Sequence, residues 1–186
     1  MSRHRKSDGP ALVAVGGLIA SGKSTVAARI ASQLSAELVN ADEIRQEFFE
    51  LGARRAFAPG FSRAVYPELF RKARGVLASG KPVVLDATFR TRRLRAEARA
   101  LAAEHRGAFR FVECRAGEDR CRERLRERER AQGRQGWCAL FDGFLELWEP
   151  VDELPESEHV VVDSSRPPDA LEAFELDLEA AVARSS

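Results

Sequence analysis

Short apolar runs alternate along the chain with longer stretches whose apolar positions recur every three or four residues. The short runs, Leu12 to Val15, Glu37 to Asn40, Val83 to Asp86, Phe109 to Cys114 and His159 to Asp163, read as buried strands. Between and after them the spacing predicts helices at about Lys23 to Leu34, Asp42 to Leu51, Arg63 to Ser79, Thr91 to Glu104, Glu118 to Ala131, Cys138 to Trp148 and Pro168 to Arg184. In the first of these, Val26, Ala27, Ile30, Ala31 and Leu34 fall on one face. Strand and helix in regular alternation predict an α/β fold, a three-layer α/β/α sandwich on a five-stranded, mainly parallel sheet. Ala53 to Gly60 reads as a surface loop, Gly80-Lys81-Pro82 as a turn and Glu149 to Glu158 as a connection. No internal repeat or linker divides the chain, so one domain over residues 8–184 is expected, with 1–7 a flexible tail.

The residues after the first strand are the most specific in the chain. Gly17 to Thr25 read G-L-I-A-S-G-K-S-T, a complete nucleotide phosphate-binding loop between a buried strand and a helix. Phosphates need several N–H donors converging on them, and glycines at 17 and 22 let the backbone curl and approach closely. Lys23 is placed to reach the β- and γ-phosphates, and Ser24 to offer its hydroxyl to Mg²⁺. The helix that follows aims its positive end at the anion. Gly17, Ala20, Ser21, Gly22, Lys23, Ser24 and Thr25 are therefore the candidate nucleotide-binding residues, with ATP and Mg²⁺ as expected cofactors.

Composition narrows the alternatives. The 186 residues, 44% hydrophobic, suffice for one sizeable core. A formal charge of +1 argues against a chain that works by wrapping nucleic acid, although a local basic site stays open. Cys114, Cys121 and Cys138 form no C-x-x-C pair and have no histidine at metal-ligand spacing, so they read as reduced thiols. The basic stretch Arg3 to Lys6 resembles the start of a secretion signal, but Ser7-Asp8-Gly9-Pro10 separates it from an apolar run that the loop glycines and Lys23 interrupt. With no apolar segment long enough to span a membrane either, the expected location is cytoplasmic. Only four of the 30 basic residues are lysines, so an individual arginine needs positional support before it counts as functional.

That support comes from the strand ends, where ligands gather in a parallel sheet. Asn40-Ala41-Asp42-Glu43-Ile44-Arg45 follows the second strand. Asp42 there reads either as a helix N-cap or as a carboxylate facing the γ-phosphate. The third strand runs Val83-Val84-Leu85-Asp86 into Ala87-Thr88. Asp86 so placed suits the water shell of a magnesium ion, and Asp86 and Thr88 are both candidate contacts for substrate. Ala87 stands where hydrolytic motors carry a water-activating glutamate, which disfavours hydrolysis as the main activity, and no N-K-x-D motif reads guanine. Within Glu118 to Arg134, Arg120, Arg124 and Arg128 form one stripe, and Gly133 and Gly136 flank a break before Trp137. A solvated helix with i,i+4 ion pairs, a nucleic-acid-binding helix and a lid delivering arginines to phosphate all fit that pattern.

Taken together, G-L-I-A-S-G-K-S-T, N-A-D-E-I-R, V-V-L-D-A-T-F and R-L-R-E-R resemble the small P-loop kinases, the group of bacterial gluconate kinases, zeta-toxin kinases and the 5′-kinase domain of polynucleotide kinases. The phrase Y-x-x-L…G-x-x-V-x-L-D-A-T-F, here Tyr66 to Phe89, is similar to that of ATP-binding members of the group. The resemblance implies a P-loop fold with a helical lid over about 118–149, and transfer of the γ-phosphate of ATP·Mg to a hydroxyl acceptor. It implies Asp42 as general base, Arg45 on a phosphate of the acceptor, and Arg124 and Arg128 as the catalytic lid pair. It also places adenine beside Ser164, Ser165 and Arg166. Gluconate kinases share the arginine spacing and an L-E-x-P similar to Leu147-Trp148-Glu149-Pro150, but carry Gly-His-Phe where this chain has Glu129-Arg130-Ala131. A polynucleotide 5′-hydroxyl and a small-molecule acceptor (sugar, sugar acid or nucleoside) both stand as expectations. Whether the protein is a monomer or a homodimer is left open.

Overall fold

The computed structural model describes residues 8–51, 62–133 and 136–165. The tail, the loop read at Ala53 to Gly60, Arg166 and the helix read at Pro168 to Arg184 lie outside them. In chain order the elements are β1 (Gly9–Gly16), α1 (Lys23–Gln33), β2 (Glu37–Asn40), α2 (Ala41–Glu50), α3 (Ser62–Ala78), β3 (Val83–Asp86), α4 (Arg92–Glu104), β4 (Gly107–Arg115), α5 (Glu118–Gln132), α6 (Trp137–Glu146) and β5 (His159–Asp163). The sheet has five strands in the order β2-β3-β1-β4-β5, every pairing parallel.

Register explains why these runs are apolar throughout. Leu12 and Ala14 of β1 lie beside Val83 and Leu85 of β3 and beside Phe109 and Phe111 of β4. All six point into one core with Ile44 of α2, Leu69 and Ala73 of α3, and Ala98 and Leu101 of α4. Val13 and Val15, one residue out of phase, point the other way with Val84, Val112 and Val162 onto Val26, Ala27 and Ile30 of α1. A parallel strand covered on both faces has no polar side to show, so alternation vanishes from its sequence. Each large side chain so buried stabilises the fold by about 1.5–3 kcal/mol. Among the described residues no helix is long and apolar enough to cross a membrane.

The topology decides where a ligand can bind. The neighbours of β1 in the sheet are β3 and β4, so the chain crosses to opposite sides of the central strand and leaves a crevice at its carboxyl end. The loops after β1, β2, β3 and β5 meet there. The pair α5 and α6 closes over it through a third cluster, in which Cys121, Leu125 and Phe141 are buried against Leu18, Ile19 and Ala20 of the loop after β1.

Element boundaries depart from the pattern in two instructive places. Strands β1 and β4 extend beyond their apolar runs, because backbone pairing continues where the side chains cease to be uniformly apolar. Helix α2 begins at Ala41 rather than Asp42, and its N-cap is Asn40, whose side chain accepts from the N–H groups of Asp42 and Glu43. Asp42 therefore does not serve as the cap; it sits in the first turn, where its carboxylate pairs with Arg45.

Candidate active site at the carboxyl edge of the sheet

A cavity of about 620 Å³ opens where the loops converge. Its walls include Ala20, Gly22, Lys23, Ser24 and Thr25 of the first loop, Asp42 and Arg45 of α2, and Asp86 and Thr88 after β3. Arg120, Arg124 and Arg128 of α5 and Ser164 and Ser165 after β5 complete them. The sequence expectations at these positions thus fall on one surface. Gly17 and Ser21 belong to the same loop but are not among the residues that line the cavity, and Arg166 lies outside the described residues.

The loop after β1 has the form that an anion cradle requires. Gly17 (φ +143°) has no room for a side chain: a Cβ there would lie 2.4 Å from the Cys114 carbonyl oxygen. Gly22 (φ +90°) caps α1 in a left-handed conformation, which leaves the first helical N–H groups without a side-chain partner. Ser21 is buried, and its Oγ has no hydrogen-bond partner among the described residues. Lys23 Nζ donates to the Leu18 carbonyl at 2.9 Å, folding its charge over the loop. Unpaired amides, an ammonium group, and the Ser24 hydroxyl bonded to the Asp86 carboxylate together fit a magnesium-bound polyphosphate.

Two acids face this cradle from different environments. Asp86 is 4% exposed, and burial raises its pKa, opposed by the charge of Lys23 and the Ser24 hydroxyl and reinforced by Asp42 and Glu43. Asn40 Nδ2 donates to Asp86 Oδ2 at 2.7 Å. Asp42 has a solvent-facing carboxylate that pairs with Arg45 Nη1 at 2.6 Å, and the Arg45 side chain is only 16% exposed. A base that is wet and an acid that is dry, on adjacent strand ends, are suited to different tasks.

The three arginines of the α5 stripe differ in their contacts. Arg124 spans the cavity: Nη1 donates to the Ala20 carbonyl at 3.1 Å and Nη2 to the Ser164 carbonyl at 2.9 Å. Arg128 lies over the Trp137 ring, 5.5 Å from its centroid, and Arg120 pairs with Glu123. Arg122, off the stripe, pairs with Asp142 and covers Phe141, so it serves to join α5 to α6. The Glu129 carboxylate strengthens that junction by accepting from the N–H groups of Gly136 and Trp137, both at 2.8 Å.

Comparison with known proteins agrees with this geometry. A family model described as an AAA domain matches residues 12–137, from β1 to the start of α6. The chain belongs to the AAA domain family. An uncharacterised protein of Mycobacterium tuberculosis H37Rv is 36% identical over 124 residues, which cover 61% of this chain and 25% of the relative, and a protein of Mycobacterium bovis matches equally. The chain thus spans about a quarter of the length of these relatives. Among solved structures, a gluconokinase from Sinorhizobium meliloti 1021 superposes with a TM-score of 0.67 at 24% identity, covering 97% of this chain and 94% of the other. The Mycobacterium tuberculosis APS kinase CysC, in complex with AMPPNP and APS, gives 0.66 at 21% identity, covering 94% and 98%. At such identities the likeness carries the fold, which is that of P-loop kinases.

Several residues around the site of this AAA domain have roles that the sequence reading did not assign. Tyr66 is buried, and burial raises its pKa; its hydroxyl lies 3.1 Å from Thr88 Oγ1 and accepts from the Phe89 N–H at 2.8 Å. It holds Phe89 at φ +47°, a conformation rare for a bulky residue. Arg95 of α4 is completely buried; it pairs with Glu153 and donates to the carbonyls of Phe89, Glu149 and Pro150. Glu149 in turn accepts from the N–H of Arg92. These bonds strap the connection before β5 against the loop after β3. The L-W-E-P segment was a visible signal, but no spacing rule ties it to an arginine so far away in sequence. Asn40 could have been found by its place at a helix start, where asparagine is as good a cap as aspartate.

Proposed function

We propose that the protein is an ATP-dependent phosphotransferase that moves the γ-phosphate of ATP·Mg to a hydroxyl acceptor. The observation that carries this reading is the single cavity in which a phosphate-binding loop, three arginines of α5 and the Asp42–Arg45 pair face one another. Its fold likeness to a gluconokinase and an APS kinase supports the same class of reaction.

In this reading the loop amides and Lys23 hold the β- and γ-phosphates, and Ser24, with Asp86 through water, holds the metal. A magnesium ion held by these residues would supply positive charge that neutralises the transferring phosphoryl group. Arg124 ties the loop after β1 to the loop after β5, so it orders the nucleotide's surroundings; Arg128 and Arg120 supply further positive charge when α5 settles. Asp42, exposed and paired with Arg45, accepts or orients the acceptor's hydroxyl proton, while Arg45 binds an anionic group on the acceptor. Phosphoryl transfer depends mostly on positioning and charge neutralisation, so this set is chemically sufficient. Ala87 follows Asp86 where a hydrolase would need a water-activating acid, which favours transfer over hydrolysis.

For the acceptor we infer a hydroxyl on a molecule that also bears an anionic group, a polynucleotide 5′ end or a small anionic alcohol. The near-complete coverage of a gluconokinase and an APS kinase supports the small-molecule alternative. The test is incubation with Mg²⁺ and γ-labelled ATP together with a 5′-hydroxyl oligonucleotide, beside Lys23→Ala. Label on the oligonucleotide that depends on Lys23 identifies a polynucleotide 5′-kinase. Label absent there, but found on a sugar, sugar acid or nucleoside, identifies a small-molecule kinase. ATP binding with no labelled acceptor under any condition would refute transfer and leave a nucleotide-switched binding module.

A further inference from the structure

One carboxamide joins the two sides of the cavity. Asn40 ends β2 directly beside Asp86, which ends β3 in register with it. Its Nδ2 donates to Asp86 Oδ2 at 2.7 Å, while its Oδ1 accepts from the N–H of Asp42 at 2.7 Å and of Glu43 at 3.3 Å. Serine and aspartate also cap helices well, but neither can cap and donate at that reach together: serine is short and an ionised aspartate has no hydrogen. Asparagine meets both demands. The carboxylate torsion of Asp86 is soft and broad, and the Asn40 bond to Oδ2 is what fixes its plane from the β2 side.

We propose that Asn40 is a positioning residue that locks the Asp86 carboxylate to the first turn of α2, so that the metal-side acid and the Asp42–Arg45 pair are held as one unit. The proposal rests on the nucleotide reading above and extends it. Without the amide donor the dry carboxylate would keep the Ser24 hydroxyl but lose its hold from the β2 side, and its separation from Asp42 would no longer be set by one rigid group. Outer-shell partners of this kind change metal affinity or activity by about 10–100-fold.

The test uses the full chain and a fluorescent N-methylanthraniloyl ATP, titrated with Mg²⁺ present and with Mg²⁺ chelated. Asn40→Ser keeps the cap and removes the donor; Asn40→Ala removes both. Asn40→Ser is expected to bind the metal-free nucleotide within about twofold of the parent, because the loop amides and Lys23 are untouched, and to lose about tenfold of the gain that Mg²⁺ confers. Its thermal midpoint is expected to stay within a few degrees of the parent, above that of Asn40→Ala. The proposal is overturned if Asn40→Ser keeps the full Mg²⁺-dependent gain, or if its loss comes with a midpoint as low as that of Asn40→Ala. A parent protein that binds no nucleotide with or without Mg²⁺ would overturn the nucleotide reading and this proposal together, whereas nucleotide binding with no Mg²⁺-dependent gain, or an unaltered Asn40→Ser variant, overturns this proposal alone.

Discussion

Replacing Arg95 by methionine would keep much of the side chain's apolar volume in α4 while removing a charge with no exposure of its own. Nε and Nη2 bond the two oxygens of Glu153 at 2.5 and 3.0 Å, and the guanidinium also serves the carbonyls of Phe89 (3.1 Å), Glu149 (3.2 Å) and Pro150 (3.0 Å). Removing one member of a buried ion pair costs about 3–5 kcal/mol. The Glu153 side chain is 24% exposed, so water recovers part of that loss and the lower end applies. Each carbonyl left without a partner adds up to about 1 kcal/mol, less whatever hydration the loosened strap regains. A loss of about 3–6 kcal/mol is expected, or a fall of about 6–24 °C in thermal midpoint at 2–4 °C per kcal/mol for a chain of this size. Urea unfolding followed by tryptophan fluorescence measures it, since Trp148 lies at the start of the strap.

The pH dependence gives a second check on the same contact. Burial pushes the pKa of Glu153 up, but the Arg95 hydrogen bond and charge, with backbone N–H groups, together bring it below its ordinary value of 4.5. A depressed carboxylate contributes stability that is fully present above the unfolded pKa and is lost as pH falls through the folded one. The gap between parent and Arg95→Met should therefore be widest near neutral pH and narrow below about pH 4. A loss under about 1 kcal/mol, or a gap constant from pH 7 to pH 3, would refute the assignment of Arg95 as the strap's anchor.

Lys23→Ala is expected to abolish nucleotide binding and turnover without changing the circular dichroism spectrum or greatly lowering the midpoint, because among the described residues the hydrogen bond that Nζ makes is to one loop carbonyl, that of Leu18; retained full activity would contradict the phosphate-binding role. Arg124→Lys keeps the charge but loses the two-pronged bridge between Ala20 and Ser164, so KM for ATP should rise about tenfold in steady-state assays. Tyr66→Phe leaves the Phe89 N–H without its acceptor and should cost about 1–3 kcal/mol in urea unfolding, with no effect expected only if that amide finds water. Burial pushes the Cys114 thiol up to about 12 and raises that of Cys121, whereas Cys138 is partly exposed. Alkylation of the native protein at pH 8 should mark Cys138 first, and fast labelling of Cys114 would count against the closed packing of β4.

Local chemistry made much of this protein readable from its sequence. A strand buried on both faces must be apolar at every position, so the runs in β1 and β3 declared themselves without any tertiary knowledge. The phosphate loop was legible for a similar reason: its glycines, lysine and serine are neighbours in sequence and answer needs that lie within a few residues of one another. Asp42, Asp86 and the arginines of α5 could be nominated because strand ends and helix stripes are also local features. What they would face could not be read, because their meeting depends on the strand order β2-β3-β1-β4-β5. Only that order places Asn40 beside Asp86 and turns an ordinary helix cap into a link between two acids. The Arg95 anchor was hidden in the same way, since its partners at Phe89, Glu149, Pro150 and Glu153 come from segments on either side of β4. In a chain where 26 of 30 basic residues are arginine, composition could not separate that buried guanidinium from those on the surface. Burial and partners decided it, and both are properties of the folded chain.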